Sequence, residues 1–181
     1  MSSPTGLTTR RGAARALALG ASAVALGVAA TPADAAVPAC KPAQLVTWIN
    51  TQSNGAAGTI FYVLNFTNVG AKCTLRGYPG VSAVGQAGKR LGTAAHRNAI
   101  KPVKTVTLNA PNPSHGTFST GHATLGIVDT GVFTAGVCAP TIASGLRVFA
   151  PNQSGAAFVP FPFSACARSG PKFLNISAVA K

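Results

Sequence analysis

The chain has 181 residues, with fifteen lysines and arginines against two acidic side chains, for a formal charge of +13 at pH 7. Of the two acids, Asp34 and Asp129, the first lies just before the predicted cleavage point of an export signal, so the remaining chain has no material for paired-carboxylate acid–base catalysis or a carboxylate cage for a hard metal ion. Composition leaves binding as the default role.

Residues 10–35 read as an export signal. Arg10, Arg11 and Arg15 form a charged end, Ala16 to Ala30 an apolar run, and Ala33-Asp34-Ala35 a small-residue cleavage signature. Pro32 ends the helical run, which sets the predicted cut before Ala36. A membrane span needs about 20 apolar residues; Ala16 to Ala30 supplies 15, seven of them weakly hydrophobic alanine, so cleavage is preferred to anchoring. Thr9-Arg10-Arg11 resembles a twin-arginine signal, with Gly12, Ala13 and Ala14 in place of the bulky apolar residues usual there. Val37-Pro38-Ala39 before Cys40 is not a lipid-attachment motif. The expected organisation is a signal peptide over 1–35 and one domain over 36–181, secreted or held at the cell envelope, with no transmembrane span.

Three of the basic residues and one acid fall in the predicted signal, leaving twelve against Asp129, or +11. An exported domain so charged is drawn to anionic surfaces, and salt should weaken the attraction. All four cysteines, Cys40, Cys73, Cys138 and Cys166, lie in this part, an even count that implies two disulfides in an oxidising compartment. Of three possible connectivities, Cys40–Cys73 and Cys138–Cys166 close the short loops and should each stabilise by roughly 3 to 4 kcal/mol. The spacings contain no C-x-x-C pair and match no zinc finger.

After residue 36, short apolar runs alternate with Gly, Pro, Asn and Ser clusters, the pattern of an all-β sandwich or barrel. Predicted strands, in chain order, are Gln44–Asn50, Thr59–Asn68, Cys73–Arg76, Gly80–Val84, Thr105–Asn109, Thr117–Ile127, Leu146–Ala150, Ala157–Phe163 and Phe173–Val179. Thr59–Asn68 is the clearest: Ile60, Tyr62, Leu64 and Phe66 share one face by the period of two. Phe61 and Val63 on its other face imply either a central strand covered on both sides or an exposed apolar strip. In Phe158-Val159-Pro160-Phe161-Pro162-Phe163 the prolines recur at every second residue and remove N–H groups along one margin, which predicts an edge strand. Gly77 and Gly80 bracket Tyr78-Pro79 in a tight turn.

Asn65-Phe66-Thr67-Asn68-Val69-Gly70, Cys73-Thr74-Leu75 and Gly77-Tyr78-Pro79-Gly80-Val81-Ser82 carry a resemblance that continues through Leu91-Gly92-Thr93-Ala94-Ala95, Val106-Thr107-Leu108, Cys138, Leu146-Arg147-Val148 and Cys166. The chain from Cys40 onward resembles the secreted actinobacterial domain-of-unknown-function family 4232. The resemblance implies an immunoglobulin-like antiparallel β-sandwich, exported or lipid-anchored, with the same cysteine pairing. It implies no activity and no catalytic residues. The segment Ala110 to His115 departs from the family pattern, with Pro111-Asn112-Pro113-Ser114 where a Pro-Gly turn is usual.

Candidate chemistry is sparse. Ile127-Val128-Asp129-Thr130-Gly131 resembles the active-site loop of aspartic proteases, whose two aspartates share a proton; with one such residue the chain would need a symmetric dimer. The competing reading is a turn in which Asp129 bonds its own backbone two residues on. Ser82 and Ser119 each lack one glycine of a nucleophile elbow, Gly85–Lys89 lacks the elements of a phosphate loop, and His96, His115 and His122 have no metal-ligand spacing. No cofactor is expected.

Lys89, Arg90, Arg97, Lys101 and Lys104 gather five basic residues in one stretch and are the candidate anion-binding patch. No aromatic falls between Tyr78 and Phe118, so base stacking has nothing to use there, and specific nucleic-acid binding is not expected. Anionic envelope polymers, lipid headgroups or another exported protein remain as partners. The leading expectation is a non-enzymatic exported binding module. A secreted aspartic-type hydrolase using Asp129 across a dimer, and a salt-independent interaction module using Phe61 and Val63 or the Phe158–Phe163 edge, are the alternatives.

Overall fold

The structure, a computed structural model, describes residues 36–181. The predicted signal peptide, with its arginine pair and cleavage site, lies outside the described residues. Eleven strands follow in chain order: β1 Leu45–Ala56, β2 Thr59–Asn68, β3 Cys73–Arg76, β4 Gly80–Val84, β5 Arg90–Leu91, β6 His96–Asn98, β7 Thr105–Leu108, β8 Ser119–Val128, β9 Pro140–Phe149, β10 Ala156–Cys166 and β11 Leu174–Ser177. Helix is confined to the four-residue α1, Ala135–Cys138, and isolated 3-10 turns. No described helix is long and apolar enough to cross a membrane.

The strands form a five-stranded sheet, β1-β2-β8-β11-β6, a four-stranded sheet, β10-β9-β4-β5, and a β3-β7 ribbon. The two larger sheets share one core, to which β2, β8 and β11 contribute Leu64, Phe66, Leu125 and Ile176, and β4, β9 and β10 contribute Val81, Leu146, Val148 and Val159. This is an immunoglobulin-like all-β sandwich. Each of these large side chains contributes roughly 1.5 to 3 kcal/mol through its burial. Tyr62 of β2 meets Phe161 of β10 edge to face across the sandwich, ring centroids 4.9 Å apart. Pairing is antiparallel throughout the ladders except between β6 and β11, which run parallel.

β2 lies between β1 and β8, and Phe61 and Val63 are half-buried, so the strand is central. β10 is a sheet margin, as its alternating prolines predict, and its register with β9 shifts between Pro160 and Phe163. Several boundaries differ from expectation. β1 runs on past Asn50 to Ala56 because the turn is made by Ala57-Gly58, both at positive φ, and not by the polar Gln52-Ser53-Asn54-Gly55 before it. β9 starts at Pro140, six residues before the apolar Leu146-Arg147-Val148 that signals it. β5 and β6 carry no alternating pattern; β4 and β11 supply the hydrogen-bonding partners that make them strands.

Cys40 is bonded to Cys73 and Cys138 to Cys166, with Cα–Cα distances of 4.8 and 4.6 Å. The first bridge ties the segment before β1 to β3, where Cys40 N–H also donates to Thr74 O. The second joins the end of α1 to the end of β10. Asn68, fully buried at the end of β2, donates through Nδ2 to the carbonyls of Ala71 and Asn109 at 3.0 and 2.9 Å and accepts the Gly70 N–H at 3.0 Å. It thereby fixes the β2–β3 loop against the end of β7, an arrangement only the amide's mixed donor and acceptor capacity allows.

Candidate functional site: a lysine-rimmed cleft

A cleft of about 760 Å³ opens where β8, β11, the β6–β7 connection and the segment after β11 meet. Its size is that of a small-molecule site. It begins with an irregularity in the β8–β11 ladder. Regular pairing runs as far as Ile176 opposite Leu125, then resumes at Ala180 opposite His122, so four residues on one side span three on the other. That is a β-bulge. At the bulge the Thr124 amide donates to Ser177 Oγ at 2.8 Å, and the hydroxyl passes its own proton to Ala178 O at 3.0 Å.

Two contacts hold the far wall. Val179 N–H donates to Gly77 O at 2.9 Å, and Gly77 stands at φ +116°, backbone that a side chain would strain. The tight turn of the Gly77-Tyr78-Pro79-Gly80 motif therefore serves to receive the segment after β11. Lys181 Nζ donates to Thr107 O at 2.9 Å and Ser119 Oγ at 3.1 Å, pinning that segment to β7 and β8. On the near side Asn98 accepts the Ile100 N–H at 3.2 Å, bending the chain outward after β6 so that Ile100, 85% exposed, stands on the rim.

Lys101, Lys104 and Lys181 line the cleft, together with His122. Among the described residues no acidic side chain does. The sequence-predicted basic residues thus divide. Lys101 and Lys104 come together at the cleft, joined by Lys181. Arg97 lies on β6 with its guanidinium 5.6 Å above the Tyr78 ring. Arg90 is on β5 and Lys89 just before it, in the other sheet, beside a loop that Arg147 holds through a 2.7 Å bond to Gly88 O. Lys181, His122 and Ser177 were missed because nothing local marks them; they reach the cleft through strand pairing across more than 50 residues.

Asp129 is exposed and caps the 3-10 turn Thr130–Val132, its Oδ1 accepting the Gly131 N–H at 2.7 Å. Thr130 is buried and its hydroxyl bonds Ser164 Oγ at 2.8 Å. The Asp-Thr-Gly triplet therefore builds a turn that docks against β10. Among the described residues no three His, Cys, Asp or Glu side chains cluster as metal ligands.

The model of the Domain of unknown function (DUF4232) matches residues 40–179. The chain belongs to that family. The match begins at the first cysteine of the Cys40–Cys73 bridge and includes Asn68, Gly77, Lys101, Lys104 and Ser177, and ends before Ala180 and Lys181 of the cleft. No curated protein and no solved structure matches the chain.

Proposed function

We propose that this DUF4232 domain is an exported, non-enzymatic binding module that associates with anionic components of the cell envelope through its basic surface. The observation that carries the reading is the convergence of Lys101, Lys104 and Lys181 on one cleft that no acidic side chain lines. Twelve basic residues against Asp129 in the described region give the domain a long-range attraction for anions. Two disulfides are compatible with an oxidising, extracellular setting. The exposed, cap-forming role of Asp129 supports a turn reading over the dimeric aspartic-type hydrolase.

Co-sedimentation of residues 36–181, disulfides formed, with phosphatidylglycerol vesicles and with purified envelope fractions across a salt series tests this. Binding at low salt that falls steeply toward 0.5 M, where the Debye length has shrunk from about 30 Å in dilute buffer to about 4 Å, is the expected result. No sedimentation at low salt overturns it.

A second reading has its own observation. β10 is an edge strand whose Phe158 is 57% exposed. An open edge with an exposed apolar side chain favours pairing with another protein chain, which would show as association unaffected by salt.

A further inference from the structure

The cleft differs from a general basic surface in three ways. Its charges are concentrated: three lysines line one cleft, whereas Lys89 and Arg90 sit in the other sheet and Arg97 is occupied by Tyr78. Two of its polar groups are already paired, Ser177 Oγ accepting from Thr124 N–H and donating to Ala178 O, and Asn98 Oδ1 accepting from Ile100 N–H. The three lysines supply the formal positive charge that an anion would meet there. Apolar side chains make up much of the rest of its lining, from the exposed Ile100 and Pro102 to the buried Val106 and Val179, beside three threonines, Asn109 and His122.

A long polyanion needs a track of charges, and a bare inorganic anion would leave the apolar walls uncovered. A molecule with an acidic head and a hydrocarbon portion satisfies both parts: the head lies among ammonium groups that have no acidic side chain to pair with, and the hydrocarbon covers the walls. Lys181 is held ready for this, since its bonds to Thr107 O and Ser119 Oγ fix where its charge sits. A second, shallower depression of about 460 Å³ shares Asn109 and Lys181 with the cleft and adds Phe118, 59% exposed.

Resting on the envelope-binding reading, we propose that the cleft between the β6–β7 connection and the segment after β11 seats a single anionic amphiphile, its phosphate or carboxylate head held by Lys101, Lys104 and Lys181. The module would then take individual amphiphiles as ligands and would not simply adhere to charged surfaces.

The test uses decyl phosphate below its micellar concentration, with inorganic phosphate and decyl maltoside as head-only and neutral-head controls. Titrations are followed by calorimetry and by amide chemical shifts. The expected result is saturable one-to-one binding of decyl phosphate alone, with shifts at residues 98–109, 122–124 and 177–181. Lys101→Glu/Lys104→Glu should weaken it by about tenfold or more, as loss and reversal of two ion pairs requires. Lys89→Glu/Arg90→Glu, an equal change in net charge placed elsewhere, should leave it nearly unchanged. Thr124→Trp, which fills the cleft without altering charge, should abolish it; retained shift dispersion shows that each variant is folded.

Equal losses in the two double variants, equal binding of either control, or no binding of decyl phosphate overturns the proposal. Salt-sensitive vesicle binding that survives such a result would leave the broader envelope reading standing. Decyl phosphate binding without vesicle binding would do the reverse, placing the ligand free in solution and not in a bilayer.

Discussion

The Thr124 amide donates to the Ser177 hydroxyl at 2.8 Å in place of a backbone carbonyl, and this one side-chain bond lets β11 leave the ladder and open the cleft. Ser177→Ala would leave the amide to water in a partly covered site. We expect a loss of about 1 kcal/mol in urea unfolding, together with altered amide shifts at residues 122–124 and 178–180 only. Unchanged shifts there would mean that the bulge does not depend on the hydroxyl.

Asn68→Asp tests the amide at the end of β2. Its Nδ2 faces the carbonyls of Ala71 and Asn109, so a carboxylate oxygen in that position would oppose other oxygens with no room for water. The change should cost about 3 kcal/mol or more at neutral pH. A stability within experimental error of the parent would contradict the hydrogen-bond assignment.

Removing the second bridge with Cys138→Ser/Cys166→Ser opens a loop whose ends lie 28 residues apart, in two buried positions. Denaturant midpoints should shift by an amount equivalent to about 3 kcal/mol. Reduction of the parent protein should cost roughly twice as much, since it opens the Cys40–Cys73 loop as well.

Asp129→Ala removes the cap on Gly131 and should lower stability by about 1 kcal/mol. Vesicle binding should hold or rise slightly, because one negative charge is lost. A pepstatin-sensitive peptidase activity that Asp129→Ala eliminated would instead restore the aspartic-type reading.

Much of the sandwich was legible from local pattern. Thr59–Asn68 is a ten-residue central strand with its predicted bounds, and Leu64 and Phe66 of its predicted core face are buried, whereas Ile60 near its start is 43% exposed; β3 and β4 likewise match their predicted spans. The prolines at 160 and 162 predict a margin because a missing N–H has the same consequence wherever the strand sits. Cysteine count and composition predict two bridges in one domain for similarly local reasons.

The cleft was only partly legible. Lys101 and Lys104 stand out in sequence as basic residues, but a one-dimensional cluster cannot say which of its members face one another; Lys89, Arg90 and Arg97 go to different strands. β5 and β6 lack any apolar period and exist because neighbouring strands offer unpaired backbone groups. Lys181 joins Lys101 and Lys104 only because β11 runs parallel to β6 and antiparallel to β8, and then bulges at Ser177. The sequence by itself determined charge, class, core faces and the supply of disulfides, since these follow from side-chain chemistry and a period of two. Tertiary structure alone decided where the charge converges, because that depends on strand order and on one hydrogen bond made across 53 residues.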